Sequence, residues 1–286
     1  MTITRNEVPA KGRGLRPLAL SPTSLPQNAR GRFYHLNCGP GDIAPYVLTC
    51  GHPDRARKLA RLLDRVEVRR RHREFLTFTG TYKKIPVSVM ATGIGTGTTA
   101  IAIIEACQCV RPITFIRLGS TGALQDYINI ADLIITDEVW RDENTTHYYA
   151  PADLKAKAHP QVLAALKEAA TSLRFPYHAG LTCTTADFYA GQGRVVPGFP
   201  TREPHKVERL SRAGVLNFEM EMSAYLTLAA MSTFKIRAGG ICAVYNNRIL
   251  NTTATPKLMR LAEKRLVTTG LLTLEILAGE DGRKEN

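Results

Sequence analysis

Three apolar segments in the first half of the chain end at glycine, and this repeated pattern restricts the folds open to it. The segments are Tyr46–Cys50, Ile85–Thr92 and Ile113–Leu118, and a glycine follows each of them directly. Helical patterns follow the first two segments, over residues 54–65 and 98–109. Short buried strands that alternate with helices predict an α/β sandwich around a mostly parallel or mixed sheet.

Two longer stretches, 74–92 and 113–139, are rich in strand-forming residues and contain no helical pattern. They predict a sheet that curls or partly closes. No internal repeat and no Pro/Ser-rich linker interrupts the chain after residue 32, so we predict a single domain over residues 33–278. A disordered basic tail, residues 1–32, and a frayed C-terminus, residues 279–286, are predicted to flank this domain.

The net charge of +13 is concentrated in two places. Residues 1–32 hold six basic side chains against one acidic, and residues 54–73 hold nine against three. Because the aromatic residues avoid both clusters, a nucleic-acid-binding protein is a remote alternative. No stretch approaches the ~20 apolar residues of a membrane-spanning helix. Most of the six cysteines lie in apolar runs and no apolar secretory segment follows Met1, which predicts reduced thiols and a cytoplasmic protein.

Arginine accompanies two of the glycine segments. Arg55 follows Gly51 by four residues, and Arg117 precedes the sequence Gly-Ser-Thr-Gly at 119–122 by two. Arginine forks match phosphate oxygens, and glycine lets backbone N–H groups approach an anion closely. These segments predict an oxyanion site, although surface or structural ion pairs remain the alternative for either arginine. The Gly-x-Gly-x-Gly at 93–97 lacks the acidic partner of a dinucleotide site and does not favour one.

Six segments, in order along roughly residues 33–278, resemble the nucleoside phosphorylase-I family. Three are similar to segments of the family at large: Gly51–Arg55, Arg117–Ala123 and Asn217–Met222. Three more resemble its uridine phosphorylases: Tyr34–Leu36, His72–Phe75 and Phe188–Arg194. The resemblance implies a single three-layer α/β/α domain with a central mixed, partly barrel-like sheet. It also implies reversible phosphorolysis of uridine to uracil and ribose 1-phosphate, in pyrimidine salvage, by direct displacement.

The same resemblance implies roles for individual residues. Inorganic phosphate would be held by Gly51, Arg55, Arg117, Ser120 and, from a neighbouring subunit, Arg73. Ribose would be held by Glu219, Met220, Glu221 and, again from the neighbour, His35. The base would be bound by Phe188, Gln192 and Arg194. Shared sites imply a homodimer or a higher homo-oligomer, with no nucleic acid and no membrane as partner.

The chemistry of these side chains agrees with the implied reaction. A Gln192 amide supplies both the donor and the acceptor that a uracil edge requires, and Arg194 can donate to a carbonyl. The leaving uracil gathers negative charge, which Arg194 would stabilise electrostatically. Arg117, which would hold the attacking phosphate, and Glu221, which would hold the sugar hydroxyls, are the other predicted catalytic residues. Phosphate is the co-substrate, and no organic cofactor is expected.

Several alternatives stay open at this point. Gln192 and Arg194 could be solvated loop residues, Glu219 and Glu221 could serve a helix dipole, and His35 could lack a ligand. Purine-cleaving relatives carry an acidic residue where Asn246 stands, and an amide cannot act as a general acid. This difference favours a pyrimidine, while a purine nucleoside phosphorylase or a nucleosidase of the same fold remains the alternative.

The resemblance also implies an interfacial cation site made by Glu74, Ile94 and Thr98. These residues would supply a carboxylate, a carbonyl and a hydroxyl oxygen. Hard oxygen ligands of this kind suit K⁺ or Ca²⁺.

Overall fold

The computed structural model describes residues 21–285, and the elements below are those of this part of the chain. The strands are β1 Tyr46–Cys50, β2 Arg65–His72, β3 Phe75–Tyr82, β4 Ile85–Ala91, β5 Ile113–Ala123, β6 Leu133–Asp142, β7 Tyr177–Thr185, β8 Asn217–Glu219, β9 Ile236–Asn247 and β10 Thr252–Thr253. The helices are α1 Pro53–Ala60, α2 Thr96–Cys109, α3 Pro160–Ser172, α4 Lys206–Arg212, α5 Met222–Met231 and α6 Pro256–Glu285. Two single 3₁₀ turns lie at Thr146–Tyr148 and Ala190–Gln192.

These strands form a single mixed sheet that partly closes on itself. The strand order is β10-β9-β6-β7-β8-β5-β1-β4-β3-β2, and β9 also pairs with β5 in parallel. The extra pairing joins β5, β9, β6, β7 and β8 into a closed ring, while β1 to β4 extend from it as an open sheet. This arrangement confirms the α/β class and the partly barrel-like sheet expected from the sequence.

Apolar side chains lie on both faces of this sheet, because neighbouring strand residues point to opposite sides. In β1, Leu48 packs into a cluster with side chains of α1, α3 and α6, such as Leu166 and Leu266. Its neighbour Val47 packs into a second cluster with side chains of α2 and α5, such as Ile103 and Tyr225. Helices therefore cover the sheet from two sides, as a three-layer sandwich requires.

The basic segment after α1 is a strand, which the sequence did not predict. The helix predicted over 54–65 ends at Ala60, and β2 follows as an edge strand of the sheet. Along β2, exposed residues such as Arg69 and Arg71 alternate with half-buried ones such as Val68. Charged side chains on an exposed edge discourage pairing with another chain, so this basic run suits its position.

The Gly-Ser-Thr-Gly segment at 119–122, which follows the apolar segment Ile113–Leu118, lies within β5. Hydrogen bonds to β9 continue through it, from Gly119 opposite Cys242 to Ala123 opposite Asn247, with a register shift after Thr121. The expectation that this strand ends before Gly119 was wrong, because residues of β9 more than 120 positions away pair with the segment and extend the strand. Gly119 meets a packing need instead, since a Cβ there would lie 1.8 Å from Nη1 of Arg117.

The two ends of the chain differ in how far the structure describes them. Residues 1–20 of the predicted tail and residue 286 lie outside the described residues. Residues 21–32 form turns, and Arg32 pairs with Asp42 at 3.3 Å. Helix α6 continues to Glu285, past the predicted end near residue 278, and Asp281 on it accepts a 2.9 Å hydrogen bond from Arg237.

Two further observations concern the predicted class of protein. Among the helices of residues 21–285, none is long and apolar enough to cross a membrane. All six cysteines are free and buried. Burial raises the pKa of the Cys38, Cys50 and Cys107 thiols to about 12, so these cysteines are weak nucleophiles at neutral pH.

Candidate active site

Arg117 is the centre of a buried charged cluster. It lies on β5, and its Nη2 donates to Glu221 and lies 3.1 Å from Oε2 of Glu219. Its Nη1 donates to Sγ of Cys242 at 3.2 Å. Burial alone would lower the pKa of Arg117, but Cys242 and the two carboxylates raise it well above its ordinary value. A fixed positive charge therefore stands inside the protein, at the point where β5 enters the glycine-containing segment.

The short strand β8 and the start of α5 place the two glutamates. Glu219 ends β8, and its Oε2 accepts from the backbone N–H of Glu221 at 2.9 Å and of Met222 at 2.8 Å. Glu219 therefore satisfies N–H groups at the start of α5, which agrees with the helix-dipole alternative. Burial raises its pKa, against the charge of Arg117. Glu221 accepts from the backbone N–H of Gly95 at 2.6 Å, and Met220 is half-buried between the two glutamates.

Arg55, the second predicted phosphate ligand, already has protein partners. It is buried in α1, where its Nε and Nη2 donate to Glu263 of α6 at 2.9–3.1 Å. Its Nη1 donates to the carbonyl oxygen of Leu118 at 3.1 Å. Arg55 thus joins the segment after Gly51 to the end of the apolar run in β5. Ser120 is exposed two residues beyond Leu118.

The glycine at position 51 is required by a close approach between two segments. A Cβ there would lie 2.9 Å from the carbonyl oxygen of Gly93. The strands before these glycines, β1 and β4, are parallel neighbours. Their carboxyl ends meet at one edge of the sheet, where ligands of α/β proteins commonly bind.

The residues predicted to bind the base form one group beside the glutamate cluster. The Arg194 guanidinium lies 4.2 Å from the centroid of the Phe188 ring, and its Nε donates to the Phe188 carbonyl oxygen at 3.0 Å. Its Nη2 donates to Oε1 of the buried Gln192 at 3.4 Å. Burial lowers the pKa of Arg194. Gln192 donates to Thr185 of β7, directly after Thr184, whose hydroxyl donates to Glu219.

His35 and Arg73 form a group of their own. Nη2 of Arg73 is 3.5 Å from the hydroxyl of Tyr34, and Nδ1 of His35 lies 2.7 Å from Oε1 of Glu105. Arg73 is exposed and lines a cavity of about 320 Å³ together with Asp54 and other residues of the segment after Gly51. The hydrogen bonds of the described residues do not connect Arg73 with Arg55 or Arg117.

The three predicted cation ligands converge around Gly93. The Thr98 hydroxyl donates to the Ile94 carbonyl oxygen at 3.2 Å and to that of Gly95 at 3.1 Å. The side chains of Glu74 and Thr98 both lie within 3.5 Å of the position that a Cβ on Gly93 would occupy. A carboxylate, a carbonyl and a hydroxyl in one place fit a hard cation. The described residues contain no cluster of three His, Cys, Asp or Glu side chains suited to a metal.

Sequence reasoning did not identify Arg248, Glu263 and Glu105, which border this site. Arg248 is half-buried, and burial together with the charge of Arg194 lowers its pKa to about 10. Its Nη1 and Oδ1 of Asn246 are buried without a hydrogen-bond partner in the described residues. Glu263 and Glu105 pair with predicted site residues across 208 and 70 positions of sequence. The position of Arg248, a charged residue at the end of an apolar strand, was a usable signal in the sequence. Glu263 and Glu105 gave no such signal, because they lie far along the chain from their partners.

Comparison with known proteins identifies the family of this chain. A sequence model of the phosphorylase superfamily matches residues 45–270. The chain belongs to the phosphorylase superfamily. It is 43% identical to a uridine phosphorylase of Thermococcus kodakarensis over 264 residues, which cover 91% of this chain and 92% of that protein. It is 34% identical to the uridine phosphorylase of Escherichia coli, over 84% of this chain and 95% of that protein.

A solved structure shows the same superfamily fold. It is a nucleoside phosphorylase of Trypanosoma brucei, described as showing uridine phosphorylase activity. The TM-score is 0.80 at 24% identity, covering 87% of this chain and 99% of that one. The family recognised from six short segments is thereby confirmed.

Proposed function

We propose that this superfamily member is a uridine phosphorylase, a pentosyltransferase that converts uridine and phosphate reversibly into uracil and ribose 1-phosphate. The observation that carries this proposal is the 43% identity to a uridine phosphorylase over nearly the whole of both chains. The pairing of Gln192 with Arg194 beside an aromatic ring supports it, because an amide and a guanidinium complement a uracil edge.

Phosphate binds, in this proposal, between the two glycine-containing segments. Gly51 and Ser120 offer backbone and hydroxyl donors there, and Arg55 and Arg117 supply positive charge. Arg73 comes from a neighbouring subunit, which its exposure and the lack of a hydrogen bond that links it to Arg55 or Arg117 in the described residues support. Phosphate held in this way attacks the anomeric carbon of the sugar in line with the leaving base.

Ribose and base lie on the side of Glu221 and Arg194. Glu221 accepts from sugar hydroxyls, Met220 packs against the ring, and Glu219 fixes the start of α5, which directly follows both residues. The bond from the anomeric carbon to the base nitrogen breaks as the bond to phosphate oxygen forms, and uracil leaves with the electron pair. Arg194 stabilises the charge that develops on a uracil carbonyl oxygen. No side chain becomes covalently attached.

The remaining parts of the proposal concern the assembly and the cation. His35 reaches the ribose 5′-hydroxyl of the neighbouring site, so the protein works as a homodimer or a larger homo-oligomer in the cytoplasm. Glu74, Ile94 and Thr98 fit K⁺ or Ca²⁺, which would hold the Gly93 segment in place between subunits. The reaction uses phosphate as co-substrate, and no organic cofactor takes part.

A single assay tests the proposed reaction. Release of the free base from uridine is measured with and without phosphate, and release of the corresponding base is measured in the same way with thymidine, deoxyuridine and inosine. We expect release from uridine that requires phosphate. Release without phosphate would mean a hydrolase, and turnover of inosine in place of uridine would replace the pyrimidine with a purine.

A further inference from the structure

The guanidinium of Arg55 is held by three protein acceptors. Glu263 accepts from Nε at 3.0 Å and from Nη2 at 2.9 Å. The Tyr245 hydroxyl lies 3.4 Å from Nη2 and donates to Oε2 of Glu263 at 3.0 Å, which closes a triangle. The carbonyl oxygen of Leu118 accepts from Nη1 at 3.1 Å. Four of the five N–H groups of this arginine are therefore engaged, and a single Nη1 hydrogen is left for an anion.

Burial makes this triangle a strong constraint. The side chains of Arg55 and Glu263 are 9% and 18% exposed, so water does little to screen their attraction. Burial alone would raise the pKa of Glu263, but the hydrogen bonds and the charge of Arg55 lower it below its ordinary value. The carboxylate thus stays ionised at neutral pH, and it accepts hydrogen bonds from the Nε and Nη2 edge of the Arg55 guanidinium.

The ion pair of Arg55 with Glu263 does more than connect α1 with α6, because of where it lies. Arg55 extends from α1 toward Leu118, directly before Gly119 and Ser120. The edge held by Glu263 presents two parallel N–H groups, with which an arginine can bind a phosphate in two places. What remains for the anion is the Nη1 end, which lies where β5 reaches the proposed phosphate site.

We infer that Glu263, with Tyr245, is a positioning residue of the phosphate site, which holds Arg55 so that its Nη1 end alone faces the anion. This inference rests on the proposed function. Arg55 then contributes one hydrogen bond and its charge to phosphate binding, and it does so without reorganisation when phosphate arrives. Loss of Glu263 frees the guanidinium to swing away from Leu118, which weakens phosphate binding and leaves the uridine end of the site as it was.

A double-mutant cycle tests this role through separate KM values for phosphate and uridine. We expect Glu263→Ala to raise the phosphate KM by about tenfold or more, the effect of losing a charge-assisted hydrogen bond. The uridine KM should stay within about twofold. In an Arg55→Ala background, the further change to Glu263→Ala should alter kcat/KM for phosphate by less than about twofold, because Glu263 acts through Arg55.

The matched control is Glu275→Ala. Glu275 lies on the same helix but pairs with Lys83 at the surface, so neither KM should change. Tyr245→Phe removes the two hydrogen bonds of the Tyr245 hydroxyl but keeps those between Arg55 and Glu263, and it should raise the phosphate KM by less than Glu263→Ala does. If Glu263→Ala fails to fold, Glu263→Gln takes its place in the cycle, and thermal melting of each variant verifies folding.

Two results would overturn the inference. One is an unchanged phosphate KM in Glu263→Ala. The other is an effect of equal size with and without Arg55, which would make Glu263 a structural residue only. Wild-type protein that releases no uracil would refute the proposed function instead. The cycle would then be measured as calorimetric affinity for inorganic phosphate, with the same non-additivity expected.

Discussion

Replacement of Gly119 by alanine should displace the arginine at the centre of the site. The added Cβ would lie 1.8 Å from Nη1 and 2.8 Å from Cζ of Arg117, and 2.6 Å from Sγ of Cys242. Ordinary contact distances are 3.5–4 Å between carbon atoms, so the guanidinium must move by about 2 Å. The backbone cannot yield, because β5 is paired with β9 on both sides of Gly119.

The loss of stability follows from the interactions of Arg117 that such a movement breaks. Separation of a buried ion pair costs about 3–5 kcal/mol. We therefore expect Gly119→Ala to lose about 3–5 kcal/mol of unfolding free energy. For a chain of this size that corresponds to a fall in Tm of roughly 6–20 °C. Since a misplacement of about 1 Å can cost about 100-fold in rate, kcat/KM for phosphate should fall by at least that factor.

Differential scanning calorimetry and phosphate-dependent uracil release measure the two effects. The control is Gly279→Ala in α6, where a Cβ would meet nothing within 4 Å, so Tm and activity should be kept or slightly raised. A Gly119→Ala protein with wild-type Tm and with kcat/KM within twofold of wild type would refute the reasoning. Such a result would mean that Arg117 does not lie against Gly119.

Three further predictions concern other parts of the molecule. Arg73→Ala and Arg117→Ala should each be inactive alone, and an equal mixture should regain about a quarter of wild-type activity. Random pairing makes half of the dimers mixed, and each mixed dimer keeps one complete site. Gln192→Ala should lose preference for uridine over thymidine and inosine in kcat/KM, and unchanged selectivity would remove it from the base site. The hydrogen bond from Arg237 lowers the pKa of Asp281, so that carboxylate stabilises the fold above its unfolded pKa of about 3.9. Asp281→Asn should lower Tm at pH 7, and its difference from wild type should shrink as the pH falls below about 5.

Local patterns were sufficient to predict the elements that are made from neighbouring residues. The stretch 74–92, expected to be rich in strands, forms the hairpin of β3 and β4, and Lys83 and Lys84 at its turn adopt positive φ angles of 48° and 67°. The apolar segments before Gly51 and Gly93 are strands, and the helical pattern after Gly93 is α2. In each case, the period of apolar residues and the glycines near them contain the necessary information.

Elements that depend on distant partners could not be predicted in this way. Strand β8 has three residues, too few to show a period, and it exists because β5 and β7 pair with it. The extension of β5 past Gly119 depends on β9, more than 100 residues later. The site follows the same rule: Arg55 and Arg117 stand out by motif, whereas Glu263 becomes visible only once α6 is packed against α1.

The triple pairing of β5 has a consequence for how the molecule opens. This strand is bonded to β1, β8 and β9, so it is shared by the closed ring and by the open part of the sheet. Local fluctuations that break the pairing of β5 with one neighbouring strand leave its pairing with the other two intact. Backbone amides around Arg117 should therefore exchange hydrogen with solvent only when the whole domain unfolds, while amides of the edge strand β2 exchange through smaller openings. The strand that carries Arg117 is in this sense the last part of the fold to come apart.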